Sequence, residues 1–189
     1  CRREPRPGLM TALVQAEQDG DKLSENELLA MAFLLLVAGH ETTVHLIGGS
    51  VLALLEAPTQ KARLLAAWSI VPSAVEELLR FVSPVQFSPR RVALEDVEIG
   101  GVKIPKGDGL FMLLGSANRD EAHFANADRF DLTRDTAKSI AFGAGPHLCL
   151  GNHSLDFICL FFEIRTGFAL LAGLRMFDFF FKGRIVVEK

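Results

Sequence analysis

Cysteine is scarce in this 189-residue chain, and the three present, Cys1, Cys149 and Cys159, show no regular spacing. An odd, irregular set argues against a disulfide framework and for a reducing compartment. Charge of one sign is also lacking: 20 basic and 23 acidic residues give a net charge of -3 and no basic stripe. With no nucleic-acid-binding motif either, nucleic acid is excluded as a partner. No apolar core follows the charged start Arg2-Arg3-Glu4-Pro5-Arg6, so no secretion signal is visible. The stretch from Leu28 to Gly39 is too short to cross a bilayer before His40 and Glu41, and the tail is broken by Asp156, Glu163 and Arg165. Both read as buried helices, and a membrane is not an expected partner. There is no internal repeat, and no initiator Met, which reads as a fragment whose upstream part is absent.

What the chain does have is a 49% apolar content, ample for a packed core, and a clear change of texture along its length. Ser24-Glu25-Asn26-Glu27 is a capping box, with a Ser hydroxyl and a Glu carboxylate placed to satisfy helix-terminal N–H groups. It predicts a helix within 24–57 that starts at Glu25 and runs to Pro58. Being apolar nearly all round from Leu28 to Ala38, that helix should be buried at its middle, inside something larger than this chain alone. A second box, Ser73-Ala74-Val75-Glu76, predicts a helix over 73–83, stopped by Pro84, with Glu77 and Arg80 on one face. Val97-Glu98-Ile99 and Val102-Lys103-Ile104 flank Gly100-Gly101, a two-residue hairpin signal inside a small sheet over 90–115, with Leu110 to Leu114 as a further strand. Residues 117–140 read as irregular, and 152–189 as an atypical tail crowded with Phe.

The chemistry concentrates in 142–151, Phe-Gly-Ala-Gly-Pro-His-Leu-Cys-Leu-Gly. Glycines let the backbone turn tightly around one Cys just ahead of a helical segment, whose N–H groups and dipole stabilise a thiolate. A Gly-rich phosphate cradle fits less well, since neither dinucleotide spacing nor a Gly-Lys-Ser/Thr follows. An incidental Cys in a loop is the plain alternative.

This loop resembles the heme-binding loop of the cytochrome P-450 family, and three further motifs, in order, resemble that family too. Ala38-Gly39-His40-Glu41-Thr42-Thr43 is similar to its oxygen-activation helix, and Glu77 with Arg80 to its Glu-x-x-Arg pair. Arg91 stands where the family has a strand-leading Arg. The resemblance spans residues 8 to 151 and implies a mainly α fold with a small β-sheet, of which this chain is the C-terminal, heme-binding half.

Several roles follow as implications of the resemblance. Cys149 would ligate the iron of heme b, with the thiolate pushing electron density onto the metal to favour O–O cleavage. Phe142 would pack near the sulfur, Gly145 and Gly151 would shape the loop, and His147 and Arg91 would hold the heme propionates. Gly39 would let the helix graze the cofactor, while Glu41 and Thr42 would relay protons to dioxygen. Glu77, Arg80 and Arg129 would form a buried structural set. Val85-Gln86-Phe87-Ser88, with Leu34, Leu35 and Ala38, would face a small apolar organic substrate, although they could equally be ordinary core. The implied activity is that of a cytoplasmic monooxygenase of bacterial type, fed by a ferredoxin and ferredoxin reductase. The competing reading is a catalytically silent remnant with weak or no heme binding. Glu121 and Ala127 depart from the family by standing where prolines are usual.

Overall fold

The computed structural model describes residues 6–18 and 23–154. The Phe-rich tail from 155 onward, together with Cys1 and Cys159, lies outside the described residues. The chain divides into two compact units, Cys1–His45 and Leu46–Lys189.

In the first unit, helix α1 (Leu9–Gln18) buries Val14 and Thr11. Helix α2 (Glu25–Glu56) begins in this unit and ends in the second. Its start matches the capping signal in detail. The Ser24 backbone N–H donates to Glu27 Oε2 at 2.7 Å, and the Glu27 N–H donates to Ser24 Oγ at 3.3 Å. The reciprocal bonds satisfy N-terminal donors that would otherwise have no intrahelical partner. The backbone and hydroxyl of Ser24 hold the Glu27 carboxyl below its ordinary range. The expected burial of the helix's middle is not seen, because Leu29, Phe33, Leu34, Leu36 and Val37 are exposed. Among the described residues α2 is the one helix long and apolar enough to cross a membrane, a test that the core helix of a soluble protein also passes.

The second unit holds the core. The end of α2 supplies Leu46, Ala53 and Leu54; helix α3 (Pro58–Ala66) supplies Leu64; helix α4 (Val71–Val82) supplies Val71, Ala74, Val75, Leu78 and Leu79. Phe130 and Leu132 close this cluster, and Trp68, Phe81, Val82 and Phe142 pack on it partly buried. Gly49 lets α2 approach α4: a Cβ there would stand 2.5 Å from Val82 Cγ1.

Helix α4 begins differently from the sequence expectation. Its N-cap is Ile70, Pro72 occupies the first turn, and the Ser73 hydroxyl donates to the Ile70 carbonyl at 3.0 Å instead of accepting a helix N–H. The fixed φ of proline organises that first turn, so the box at 73–76 does not form. At the other end Ser83 turns into the left-handed region at φ 43° and donates its N–H to the Leu79 carbonyl.

The small sheet is two separate ribbons. Strand β1 (Arg91–Val92) pairs antiparallel with β4 (Gly109–Leu110), while β2 (Val97–Ile99) pairs with β3 (Val102–Ile104). Gly100 and Gly101 turn the second ribbon with φ of 59° and 81°, the positive values that this hairpin type requires. The strand expected over 110–114 stops at Leu110, and helix α5 (Leu114–Ala117) starts where it was to end. The reason is that Ser88 captures Met112 on both sides: its N–H donates to the Met112 carbonyl and its Oγ accepts the Met112 N–H. Met112 thus bonds the segment before β1 instead of extending β4.

Candidate functional site

Cys149 sits on a loop shaped by two glycines with positive φ, Gly143 at 73° and Gly145 at 71°. These values are strained for any residue with a Cβ, which explains the glycine at each position. The Gly143 N–H donates to the Ile140 carbonyl at 2.8 Å, the Leu148 N–H to Gly145 at 3.0 Å, and the Cys149 N–H to Phe142 at 3.0 Å. The last bond closes the loop on itself. A helical turn over Leu150–Ser154 follows, and the Gly151 N–H points back at Cys149 Sγ from 3.3 Å. The sulfur is therefore exposed, faces a backbone N–H at a helical start, and has no acidic neighbour in the loop. Leu150 is 89% exposed and Leu148 46%, so the thiol is flanked by apolar surface open to a flat apolar ligand.

The remaining loop residues divide by burial. Phe142 is anchored, packing against the core cluster. His147 lies exposed in the short turn Gly145–His147. Arg91 is exposed on β1, and no described hydrogen bond joins either side chain to the Cys149 loop.

Glu41 and Thr42 belong to the first unit, and Cys149 to the second. Within the first unit, the Thr42 hydroxyl donates to the Ala38 carbonyl at 2.6 Å and the Thr43 hydroxyl to Gly39 at 2.7 Å. Two successive bonds of this kind engage the carbonyls of one helical turn, a pattern that bends helices. A Cβ on Gly39 would meet nothing within 4 Å, and Glu41 is exposed.

Glu77 and Arg80 are both fully buried. Their pairing is bidentate, with Arg80 Nε to Glu77 Oε2 at 2.7 Å and Nη2 to Oε1 at 2.9 Å. The remaining capacity is filled: Arg80 Nη1 donates to the carbonyls of Asn118 (2.6 Å) and Ala127 (2.9 Å), and the Asp131 N–H donates to Glu77 Oε1. The Arg80 guanidinium also lies 5.2 Å from the Phe124 ring centroid. A buried pair stabilises only when satisfied to this degree.

The third arginine of this set differs from the sequence expectation. Arg129 takes part through its carbonyl, which accepts from Arg80 Nη2 at 3.5 Å, while its side chain is exposed. The guanidinium that reaches Glu77 belongs to Arg134, whose Nε stands 3.2 Å from Oε1 and whose other nitrogens bond the carbonyls of Ala125, Asn126 and Arg129. Arg134 holds the turn that the left-handed Asn126 makes. Sequence reasoning also missed Asn118, buried in the 117–140 stretch where irregular composition hides long-range bonding, and Ser83, buried at the end of α4. Their signal was available only as polar side chains in a segment otherwise rich in solvent-exposed ones.

A family model described as Cytochrome P450 matches residues 65–153. Cytochrome P450 107B1 of Saccharopolyspora erythraea is 53% identical over 150 residues, 79% of this chain and 37% of that protein. The Vitamin D(3) 25-hydroxylase of Pseudonocardia autotrophica is 50% identical over 151 residues, 79% of this chain and 38% of that protein. Among solved structures, the tirandamycin C-bound P450 monooxygenase TamI superposes with a TM-score of 0.82 at 40% identity, covering 89% of this chain and 42% of its own. P450BioI in complex with hexadec-9Z-enoic acid ligated acyl carrier protein gives 0.80 at 42% identity, covering 92% and 44%. The chain thus spans less than half the length of the relatives it matches, and its architecture is the corresponding part of their fold.

Proposed function

We propose that this chain, which belongs to the cytochrome P450 family, binds heme b through Cys149 and is the heme-side part of a monooxygenase that inserts one atom of dioxygen into a small organic substrate. The observation that carries the reading is the exposed Cys149 sulfur, held in a glycine-turned loop with the Gly151 N–H aimed at it. The fit to the cofactor is supported by the open space at Gly145, where a Cβ would meet nothing within 4 Å, and by the exposed Leu148 and Leu150 beside the thiol. When bound, heme supplies the iron at which dioxygen is reduced and cleaved.

The chain's own residues then take these roles. Cys149 ligates, and Phe142 anchors the loop through its core contacts and its carbonyl. His147 and Arg91 offer exposed cationic or donor groups to the propionates. Thr42, whose hydroxyl donates to the Ala38 carbonyl, and the exposed Glu41 are assigned the delivery of protons to dioxygen. Glu77 and Arg80 keep the loop-bearing core folded. Electrons come from a ferredoxin and its reductase. The names of the relatives point to different substrates, vitamin D(3) in one and tirandamycin C in another, so the substrate class is assigned no further.

The test is the spectrum of the chain expressed with heme, reduced and exposed to carbon monoxide. A thiolate-type Soret band that disappears in Cys149→Ala is expected; no band, or one that survives the substitution, overturns the assignment.

One observation favours a second reading, a catalytically silent remnant with weak or no heme binding: the apolar face of α2 is exposed. Natural monomers rarely leave such a patch in water. Substrate turnover by this chain with a ferredoxin system would rule the remnant out, and aggregation without heme uptake would favour it.

A further inference from the structure

We propose that Asn118 is the positioning residue of the Cys149 loop, acting through Ile140; the proposal rests on the reading of Cys149 as the ligand. Asn118 is fully buried, and every polar atom of its side chain is used. Its Oδ1 accepts the Ile140 N–H at 2.9 Å and the Ser139 hydroxyl at 3.4 Å, while its Nδ2 donates to Ser83 Oγ at 3.1 Å. The orientation of the amide follows from its neighbours. A backbone N–H can only donate, so the atom facing Ile140 must be the oxygen. The Ser83 hydroxyl spends its hydrogen on the Arg80 carbonyl at 2.8 Å, so it accepts from Nδ2.

What this amide joins gives it its role. On one side stands the left-handed end of α4, three residues past Arg80, whose guanidinium also holds the Asn118 carbonyl at 2.6 Å. On the other stands the entry to the loop. Ile140, fixed through its N–H by Asn118, offers its own carbonyl to Gly143, and two residues on the Phe142 carbonyl receives the Cys149 N–H. One buried side chain therefore sets where the glycine turn begins relative to the buried ion pair. Only a planar group with a donor at one end and an acceptor at the other serves both sides, which Leu, Ala or Asp at 118 would not.

The experiment is residue-resolved amide exchange on the heme-free chain, comparing Asn118→Ala with Leu64→Ala, a core truncation outside this network. Asn118→Ala is expected to speed exchange at Ile140, Gly143 and Cys149 by about tenfold beyond any change common to the whole second unit, the scale set by one lost buried hydrogen bond. Leu64→Ala should lower protection across the unit with no excess at those three amides. Equal profiles in the two variants overturn the proposal. Asn118→Asp keeps the acceptor toward Ile140 and loses the donor toward Ser83, so it should retain protection at Ile140; if Asn118→Ala does not fold, this variant decides, and loss of that protection overturns the proposal. With heme added, Asn118→Ala should move the carbon monoxide band away from its thiolate position while Leu64→Ala leaves it in place. A wild-type chain that takes up no heme would defeat the ligation reading alone, since the exchange result stands without the cofactor.

Discussion

Replacing Arg80 by Met tests how much of the fold depends on the buried ion pair. The substitution removes the charge, keeps most of the volume, and strips a donor from two buried carbonyls, Asn118 and Ala127. Leaving a buried acceptor unsatisfied costs about 1 to 3 kcal/mol, so the two together cost roughly 2 to 6 kcal/mol. Glu77 is less exposed to the loss, because Arg134 Nε and the Asp131 N–H still reach its Oε1. In the reverse variant, Glu77→Gln, an amide NH2 replaces the oxygen that accepts Arg80 Nε, and a buried guanidinium is left without its counter-charge. Breaking a buried pair in this way costs about 3 to 5 kcal/mol. Either loss is a large share of the roughly 5 to 15 kcal/mol that holds a domain together.

The chain carries its own probe in Trp68, its single tryptophan, which packs partly buried on the core cluster beside α4. Urea unfolding followed by its fluorescence should show each single variant shifted to lower midpoint by about 1 to 3 M, given a denaturant slope of about 1 to 3 kcal/mol per molar. The double variant Glu77→Gln with Arg80→Met should lose at least about 1.5 kcal/mol less than the sum, since the guanidinium that Glu77→Gln alone leaves without its counter-charge is then gone. A single variant within about 1 kcal/mol of wild type, or strict additivity in the double, would refute the claim that this pair carries the core of the second unit.

Two other substitutions probe packing and titration. Gly49→Ala puts a Cβ 2.5 Å from Val82 Cγ1, neither of which lies on a flexible chain end, and should lower the thermal midpoint by the equivalent of about 1 to 3 kcal/mol; adding Val82→Ala should recover part of that loss, and no recovery would mean that α2 and α4 do not meet there. Burial raises the Glu76 carboxyl above its ordinary 4.5, so its protonated form is favoured in the folded chain and stability falls as pH rises through the raised value. Glu76→Gln should therefore stabilise the chain at neutral pH and make no difference below the ordinary carboxylate range; equal effects at both ends of the titration would contradict the burial.

Which features could be read from the amino-acid order depends on how far apart their partners lie. The box at Ser24 and Glu27 spans three residues and forms as its pattern implies. The box at Ser73 and Glu76 has the same spacing, yet Pro72 and the turn Trp68–Ile70 move the helix start two residues upstream, so the Ser hydroxyl finds a carbonyl instead. The hairpin at Gly100 and Gly101 was legible because glycine alone accepts positive φ cheaply at both central positions. The choice between Arg129 and Arg134 was not. Both lie within six residues in a segment without periodicity, and which one meets Glu77 is settled by the turn at Asn126, where a φ of 50° brings the carbonyls of 125, 126 and 129 around the Arg134 guanidinium. The tight turn of the loop at Cys149 was legible for the opposite reason, since its glycines and its closing bond from Cys149 to Phe142 are all local. What holds that loop in place is a relay from Arg80 through Asn118 to Ile140, whose partners lie 38 and 22 residues apart. Composition carries no trace of such bonds, so a segment that looks irregular in sequence, 117–140, supplies the distant partners of Glu77, Arg80 and Ser83.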